Sequence, residues 1–424
     1  MSAIETRLLP ETAAVAPDGG LSIGGVMVAD LAAEWGTPLF VYDEVHLRAR
    51  CREAVSAFGA DSVIYATKAF LCGAMARLAH EEGLLLDVAT GGELHTVLAA
   101  GVPGSACVLH GNNKSTDELR AAIDAGVRHI VVDSFDEIDR LESIHAAGGR
   151  VPRVQLRVTP GVHVHTHEYV STGQDDSKFG FNLGNGDALR AVERARASAA
   201  VELVGVHCHI GSNVFAVENF AEASKVMVDF FAALTLPEIT LGGGLGVAYT
   251  ATEHAPSISE WAGVLRRATS SLSSGVRVMV EPGRAIVAQA GVTVYTVGTV
   301  KHIKGVRTYV AVDGGMSDNP RPVLYGSGYE AFDPRRTSDE RTARARLVGK
   351  HCESGDVIID DAEVPATLAI GDLLVTPVTG AYGYSMANNY NKVPRPAVVF
   401  VADGTARLVV RRETLEDLVR LDVL

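Results

Sequence analysis

From Val45 onward, short apolar runs alternate with longer stretches whose apolar residues recur every three or four positions. Short apolar runs bounded by turn residues read as buried strands, and the three-to-four recurrence reads as helices that bury one face. The strands predicted in this way are 63–66, 84–88, 106–109, 129–132, 153–158, 201–206, 238–241 and 277–280. Helical stretches lie between them. Examples are 116–125, with Leu119, Ala122 and Ile123 on one face, and 135–145. Eight strands separated by helices at even spacing predict an α/β fold, a parallel (β/α)8 TIM barrel. A doubly wound open sheet is the alternative, and short, evenly spaced units favour closure over it.

After Gly291 the helical period disappears. The segments 292–300, 307–312, 373–377, 397–401 and 407–411 alternate apolar with polar residues, as strands of an antiparallel sheet do. A last amphipathic helix is predicted over 413–421. The run Pro38-Leu-Phe-Val-Tyr42 reads as a strand leading into the main domain, and the first 20 residues show no period and read as a loose lead-in. The expected domains are therefore a barrel over 45–296 and a C-terminal antiparallel β-rich domain, 297–424, that includes the N-terminal segment 1–44.

Composition narrows the class. A chain of 424 residues, 47% hydrophobic and 21% charged, is globular and long enough for two domains. Its net charge of -13 and lack of a basic cluster argue against a nucleic-acid partner. No apolar run approaches the length of a membrane span, and no signal pattern opens the chain. The five cysteines, Cys51, Cys72, Cys107, Cys208 and Cys352, are scattered without a CxxC pair. That pattern suits reduced thiols rather than a zinc ribbon, and the chain is read as cytoplasmic.

Polar residues cluster at strand ends. Lys68, Asp87, His110, Asp133, Arg157, His209, the glycines after Leu241 and Glu281 each lie at or just past the C-terminal end of a predicted strand. In a parallel barrel that rim builds the active site. A lone lysine at a strand end is ordinarily a surface residue, but a desolvated one is an amine nucleophile that forms Schiff bases with carbonyls. Eight such polar positions in succession are more than capping requires.

Several motifs admit both a bland and a chemical reading. Leu241-Gly-Gly-Gly-Leu-Gly246 is either a flexible turn or bare backbone approaching a phosphate; its spacing is neither GxGxxG nor a Walker loop. His207-Cys-His-Ile-Gly-Ser212 suggests metal, as do the alternating His163, His165 and His167, but no acidic or thiol partner falls at a known ligand spacing. An imidazole stacked on a flat cofactor, with Ser212 on its phosphate, fits better, and no metal is expected. Glu281-Pro-Gly-Arg284 is either a plain ion pair or a carboxylate that keeps a pyridine nitrogen protonated, so that the ring accepts electrons. In Gly349-Lys-His-Cys352-Glu353-Ser-Gly-Asp356, the thiol is either an inert buried group or a proton donor. Arg321 is either a surface ion pair or a bidentate site for a second carboxylate.

Together these segments resemble the pyridoxal-phosphate decarboxylases of the alanine-racemase/ornithine-decarboxylase fold type. The matching stretches are Tyr65-Ala-Thr-Lys68-Ala, Asp87-Val-Ala-Thr-Gly-Gly-Glu93-Leu, Asp176-Ser-Lys-Phe-Gly180, His207 to Ser212, Gly242 to Gly246 and Glu281 to Arg284. Beyond the barrel come Asp313-Gly-Gly-Met, Asn319-Pro-Arg-Pro-Val-Leu-Tyr325, Cys352 to Asp356, and Gly380-Ala-Tyr382 running on to Asn391. The similarity spans roughly 38–402. The Cys352 and Asn319 motifs are similar to the diaminopimelate branch in particular. Phe70, Thr90 and Asn213 depart from it: the family more often has Asn, Ser and Gln there.

The resemblance implies pyridoxal 5'-phosphate as cofactor and meso-diaminopimelate decarboxylated to L-lysine as the reaction. It implies Lys68 as the amine that holds the cofactor and Glu281 at the ring nitrogen, with Asp87 nearby. His209 would stack on the ring. Ser212, Gly243, Gly244, Gly246, Gly283 and Arg284 would line the cofactor. Arg284, Arg321 and Tyr325 would bind the substrate's far carboxylate and Glu353 its far ammonium, with Tyr382 touching both molecules. Cys352 would be the acid that returns a proton, with Lys68 as its competitor, and Cys352 and Glu353 would come from the partner in a homodimer with shared sites. Rival readings are a decarboxylase of ornithine, arginine or carboxynorspermidine, and a catalytically silent cofactor-binding regulatory homologue.

Overall fold

The computed structural model describes residues 4–162, 174 and 176–423. The chain divides into two compact units: Arg50–Val247 with Ala255–Ala285, and Met1–Ala49 with Ala248–His254 and Ile286–Leu424.

The first unit is a closed parallel barrel. Its strands are β1 (Ile64–Ala66), β2 (Leu85–Val88), β3 (Cys107–Leu109), β4 (His129–Val132), β5 (Arg153–Thr159), β6 (Glu202–His207), β7 (Glu238–Thr240) and β8 (Arg277–Met279). Neighbours in sequence are neighbours in the sheet, β1 through β8. The ring closes where Val63 bridges Val280 in parallel, with Ile64 N–H donating to Val280 O at 2.8 Å. All eight strands lie within two residues of the ranges predicted from the apolar runs. A further short strand, Phe181–Asn182, adds to β5 in parallel.

Local sequence explains the helices between them. Helix α1 (Gly73–Glu81) follows β1, and α2 (Gly91–Ala99) follows β2. Helix α3 (Thr116–Ala125) opens on a capping box, Ser115 with Glu118, and stops at Gly126, whose φ is 67°. The box satisfies backbone N–H groups left over in the first turn, and glycine takes the left-handed stop without strain. Leu119, Ala122 and Ile123 are its buried face, as the periodicity predicts. Ser134 caps α4 (Phe135–Ala146). Helices α5 (Asp187–Ala197), α6 (Val217–Ala232) and α7 (Ile258–Ala268) complete the barrel, and α7 opens on a second capping box, Ser257 with Glu260.

The second unit is built on a sheet. In order its strands are 357–364, 343–348, 307–312, 291–303, 39–43, 397–402 and 405–410, with 373–376 also pairing 291–303. The pairing is antiparallel apart from 307–312 with 343–348 and 39–43 with 397–402. All five residues of Leu39–Asp43 are buried.

Two expectations fail in this unit. The predicted helix over 413–421 is a series of turns. Its apolar residues Leu415, Val419 and Leu421 are exposed, so no packing repays the entropy of ordering a short helix. The first 20 residues are not a loose lead-in. Leu8 and Leu9 are buried, a short sheet forms over 14–15, 21–23 and 26–27, and the Arg7 guanidinium donates to the carbonyls of Ala251 and Glu253. That contact gathers 248–254 into the sheet unit.

Candidate active site

The barrel rim gathers most of the predicted cofactor residues. Glu281 follows β8 directly and is buried. Its Oε2 lies 2.9 Å from Nε2 of His207 at the end of β6. Its Oε1 lies 3.0 Å from Nε2 of His110, which follows β3, in an ionic contact rather than an aligned hydrogen bond. Burial works against charge on Glu281, but His207 and His110 outweigh it and hold the carboxyl well below the usual range. Burial also disfavours charge on His110, yet Asp87 and Glu281 raise it above an ordinary imidazole. Burial pushes His207 down to about 4 despite Glu281, so it is neutral at pH 7.

Asp87, on β2, is buried, with Oδ1 at 3.9 Å from His110 Nε2. Burial raises its pKa, opposed by His110 and Lys68. Lys68 stands in the short turn Thr67–Ala69 after β1, close enough to Asp87, Glu93 and His209 to act on their charge. Its side chain is exposed while Thr67 and Ala69 are buried. This differs from the picture of a desolvated lysine: the turn is fixed by Thr67 Oγ1 donating to Asp87 O at 2.6 Å, and the residue it carries is exposed.

The glycine run after β7 is not a flexible turn. A Cβ on Gly243 would sit 1.9 Å from Glu281 O, and one on Gly244 would sit 2.0 Å from Gly211 O. Gly244 O accepts from Val214 N–H, and Gly246 N–H donates to Val214 O, each at 2.9 Å. Gly243 N–H donates to His209 Nδ1 at 3.3 Å, which places that ring's proton on Nε2. Burial, with Lys68 next in effect, keeps His209 neutral. Gly283 abuts Ala66 so closely that a Cβ would lie 2.9 Å from the alanine's own. Arg284 Nη2 donates to Ser212 Oγ at 2.8 Å.

The three family departures have local explanations. Phe70 is fully buried, and its carbonyl accepts from Tyr65 OH at 2.8 Å. Thr90 caps α2, its hydroxyl accepting from Glu93 N–H, a role serine fills equally well. Asn213 has φ of 61°, a left-handed conformation that asparagine tolerates better than most side chains.

The remaining predicted residues lie in the sheet unit. Arg321 is buried, donating to Tyr329 OH at 2.9 Å and Ser327 Oγ at 3.1 Å, with its guanidinium 4.3 Å from the Tyr249 ring centroid. It is not a surface ion pair. Tyr382, at φ 60°, acts on its charge, and Tyr325 is half-buried four residues on. Cys352 and Glu353 are exposed on the loop between strands 343–348 and 357–364. The other four cysteines are buried.

His110, His207 and Glu281 also have the donors of a metal site, with ligand atoms within 4.8 Å of one another. Contacts of 2.9 and 3.0 Å are those of charge-assisted pairs. His163, His165 and His167 lie outside the described residues. Sequence reasoning set His110 at a strand end and His207 in a motif, but gave neither a role. Both project from strand ends distant in sequence, which spacing alone does not bring together.

The residues fit pyridoxal phosphate. Asp87 Oδ1 and Glu281 Oε1 are buried acceptors without a hydrogen bond, and the glycine cradle that a Cβ would fill lies beside them. A charged carboxylate, a neutral imidazole and bare backbone suit a pyridine nitrogen, a ring face and a phosphate respectively.

Comparison with known proteins agrees. Residues 44–288 match the family described as "Pyridoxal-dependent decarboxylase, pyridoxal binding domain", which sets the class as a pyridoxal-dependent decarboxylase barrel. A diaminopimelate decarboxylase of Mycobacterium tuberculosis is 48% identical over 96% of this chain and 95% of its own. That of Bacillus subtilis is 47% identical over 96% and 95%. A solved structure titled "Crystal structure of Diaminopimelate Decarboxylase from m. jannaschi" superposes with a TM-score of 0.90 at 32% identity, covering 98% of each chain. The chain belongs to the diaminopimelate decarboxylase family.

Proposed function

We propose that the protein decarboxylates meso-2,6-diaminopimelate to L-lysine and carbon dioxide with pyridoxal phosphate, as a cytoplasmic homodimer. When bound, that cofactor supplies an electron sink for the carbanion left by the departing carboxylate. Lys68 would hold it through its side-chain amine. Glu281 would hold a negative charge at the ring nitrogen and so keep a proton there, with Asp87 close by. His209 presents a neutral imidazole face. Ser212, Gly243, Gly244, Gly246, Gly283 and Arg284 hold the phosphate end. Arg284, Arg321 and Tyr325 would take the far carboxylate and Glu353 the far ammonium, Tyr382 would touch both cofactor and substrate, and Cys352 would return a proton to the carbon.

The observation that carries this reading is Glu281, buried and kept ionised on the rim of the barrel by two histidines. The identity of the relatives supports the substrate, and a solved relative is titled "in co-complex with L-lysine". Buried Arg321, in a setting of tyrosines, favours a substrate with an anion at its far end over ornithine or arginine. The test is carbon dioxide release across meso-diaminopimelate, ornithine, arginine and lysine. We expect meso-diaminopimelate to have the highest kcat/KM. A higher value for another amino acid moves the protein to that substrate, and no release from any of them makes it a silent homologue.

A further inference from the structure

Glu281 is held from two sides by imidazoles that come from different strands. His207 ends β6 and donates through Nε2 to Oε2 at 2.9 Å. His110 follows β3 and reaches Oε1 at 3.0 Å, while its Nε2 is also 3.9 Å from Asp87 Oδ1. The two rings meet edge to face, with centroids 5.0 Å apart and planes at 69°. Each ring is buried, so neither exchanges these contacts for water.

The two histidines differ in what they supply. His207 is neutral and gives direction, one N–H aimed at one oxygen. His110 lies between two buried carboxylates, Asp87 and Glu281, which favour its charged form against burial. Among the described residues, the other charged or titratable groups acting on this cluster are Lys68, Glu93, Arg157, Cys208 and His209. Without a cation at His110, two carboxylates would share a dry site, a situation that drives one of them to take up a proton.

We propose that His110 is a positioning residue that fixes the charge and aim of Glu281 toward the cofactor's ring nitrogen. This rests on the function proposed above, because it assigns Glu281 to that nitrogen. His110 touches neither cofactor nor substrate in this account; it acts through the carboxylate.

The test compares the wild-type enzyme with His110→Gln and His110→Phe. Glutamine keeps a hydrogen-bond donor without the charge, and phenylalanine keeps only the ring. Three quantities are read: the dissociation constant of pyridoxal phosphate from the apo-protein, the pH midpoint of the bound cofactor's visible absorbance, and kcat separately from KM. The wild type must bind the cofactor and release carbon dioxide; if it does not, the proposed function fails and this inference with it. If it does, both variants should show the absorbance midpoint displaced from wild type, because the charge that His110 placed between Asp87 and Glu281 has been removed or replaced by a proton on a carboxylate. For His110→Phe, kcat should fall about 10- to 100-fold, the range seen when a partner that orients a reacting group is removed. KM for the substrate should change much less. His110→Gln should recover most of the cofactor affinity but not the midpoint. An unshifted midpoint together with a kcat within about twofold of wild type in a folded His110→Gln would overturn the proposal whatever the phenylalanine variant does.

Discussion

Asp318 shows how a single buried group sets a pH response. Its carboxylate accepts from Tyr295 OH at 2.6 Å and from Gly315 N–H at 2.8 Å, and it is almost fully buried. Burial pushes its pKa up to about 7, against those hydrogen bonds. An acid with a raised folded-state pKa binds its proton more tightly folded than unfolded. Stability from this group is therefore complete at low pH and lost as pH rises from about 4 to about 7. The slope is about 1.4 kcal/mol per pH unit at most. Asp318→Asn removes the titration, so across that window wild type should lose stability relative to the variant, measured by urea unfolding at several pH values. Parallel pH curves would show that Asp318 ionises normally. At this scale much of the site was legible: Lys68, Asp87, His209, Ser212, Glu281 and Arg284 stand together on one rim, as their positions in the motifs imply. What the motifs could not show is which groups pair. The clamp of His110 and His207 on Glu281 depends on the closure of the ring, and the exposure of Lys68 depends on how one turn is pinned.

Element boundaries follow from local chemistry where apolar runs are short and sharply bounded, and this is why the eight barrel strands were readable. The strands at 343–348 and 357–364 were not, because only small alanines alternate with the arginines of the first and Asp360-Asp361 breaks the alternation of the second. Arg344 pairs with Asp361 at 2.9 Å and with Glu363 at 3.0 Å across those two strands, so charges there serve as pairing partners on a sheet face. Lys114 is a second case that no periodicity announces. It lies in the loop after β3 and is buried. Its ammonium donates to Gly111 O at 2.7 Å, Val131 O at 2.8 Å and Glu137 Oε2 at 2.9 Å. Glu137, on α4, also accepts from Asp133 N–H at 3.2 Å. One ion pair thus ties the loop that begins at His110 to the end of β4. Removing one partner leaves the other charged without compensation in a dry site, which costs about 3–5 kcal/mol. Lys114→Met should destabilise the barrel by that order in urea unfolding. Lys114→Met with Glu137→Leu should regain a large part of the loss, since an apolar pair of similar bulk needs no counter-charge. Equal losses in the single and double variants would mean that Lys114 acts by packing, not by charge.

For the molecule as a whole, the question is how an exposed acid takes part in chemistry assigned to a buried carboxylate. Cys352 and Glu353 are both exposed, yet their loop is not loose. Asp356 accepts from Met316 N–H at 2.6 Å and from His351 N–H at 2.9 Å, while Cys352 N–H donates to Asn391 Oδ1 at 3.0 Å. A Cβ on Gly349 would lie 2.2 Å from Asp356 Oδ2 and one on Gly315 2.5 Å from Asp356 Oδ1, so the carboxylate fills the space those two glycines leave. His351 Nε2 is in turn 2.8 Å from Ser317 Oγ. A loop anchored this firmly, with its reactive thiol turned to the surface, suits delivery of that thiol to a second copy of the chain, and this supports the shared-site homodimer proposed above. Cys352→Ala should then keep the visible absorbance of bound cofactor while kcat falls about 100- to 10,000-fold, the range for loss of a general acid. Lys68→Ala should be inactive for the separate reason that the cofactor has no anchor. If each site draws Lys68 from one chain and Cys352 from the other, exchanging subunits between the two inactive variants must create some dimers with one intact site, and activity returns on mixing. If the mixture stays inactive while pull-down through a tag on one variant recovers the other in mixed dimers, Lys68 and Cys352 serve the same chain's site, and the exposure of Cys352 has another cause.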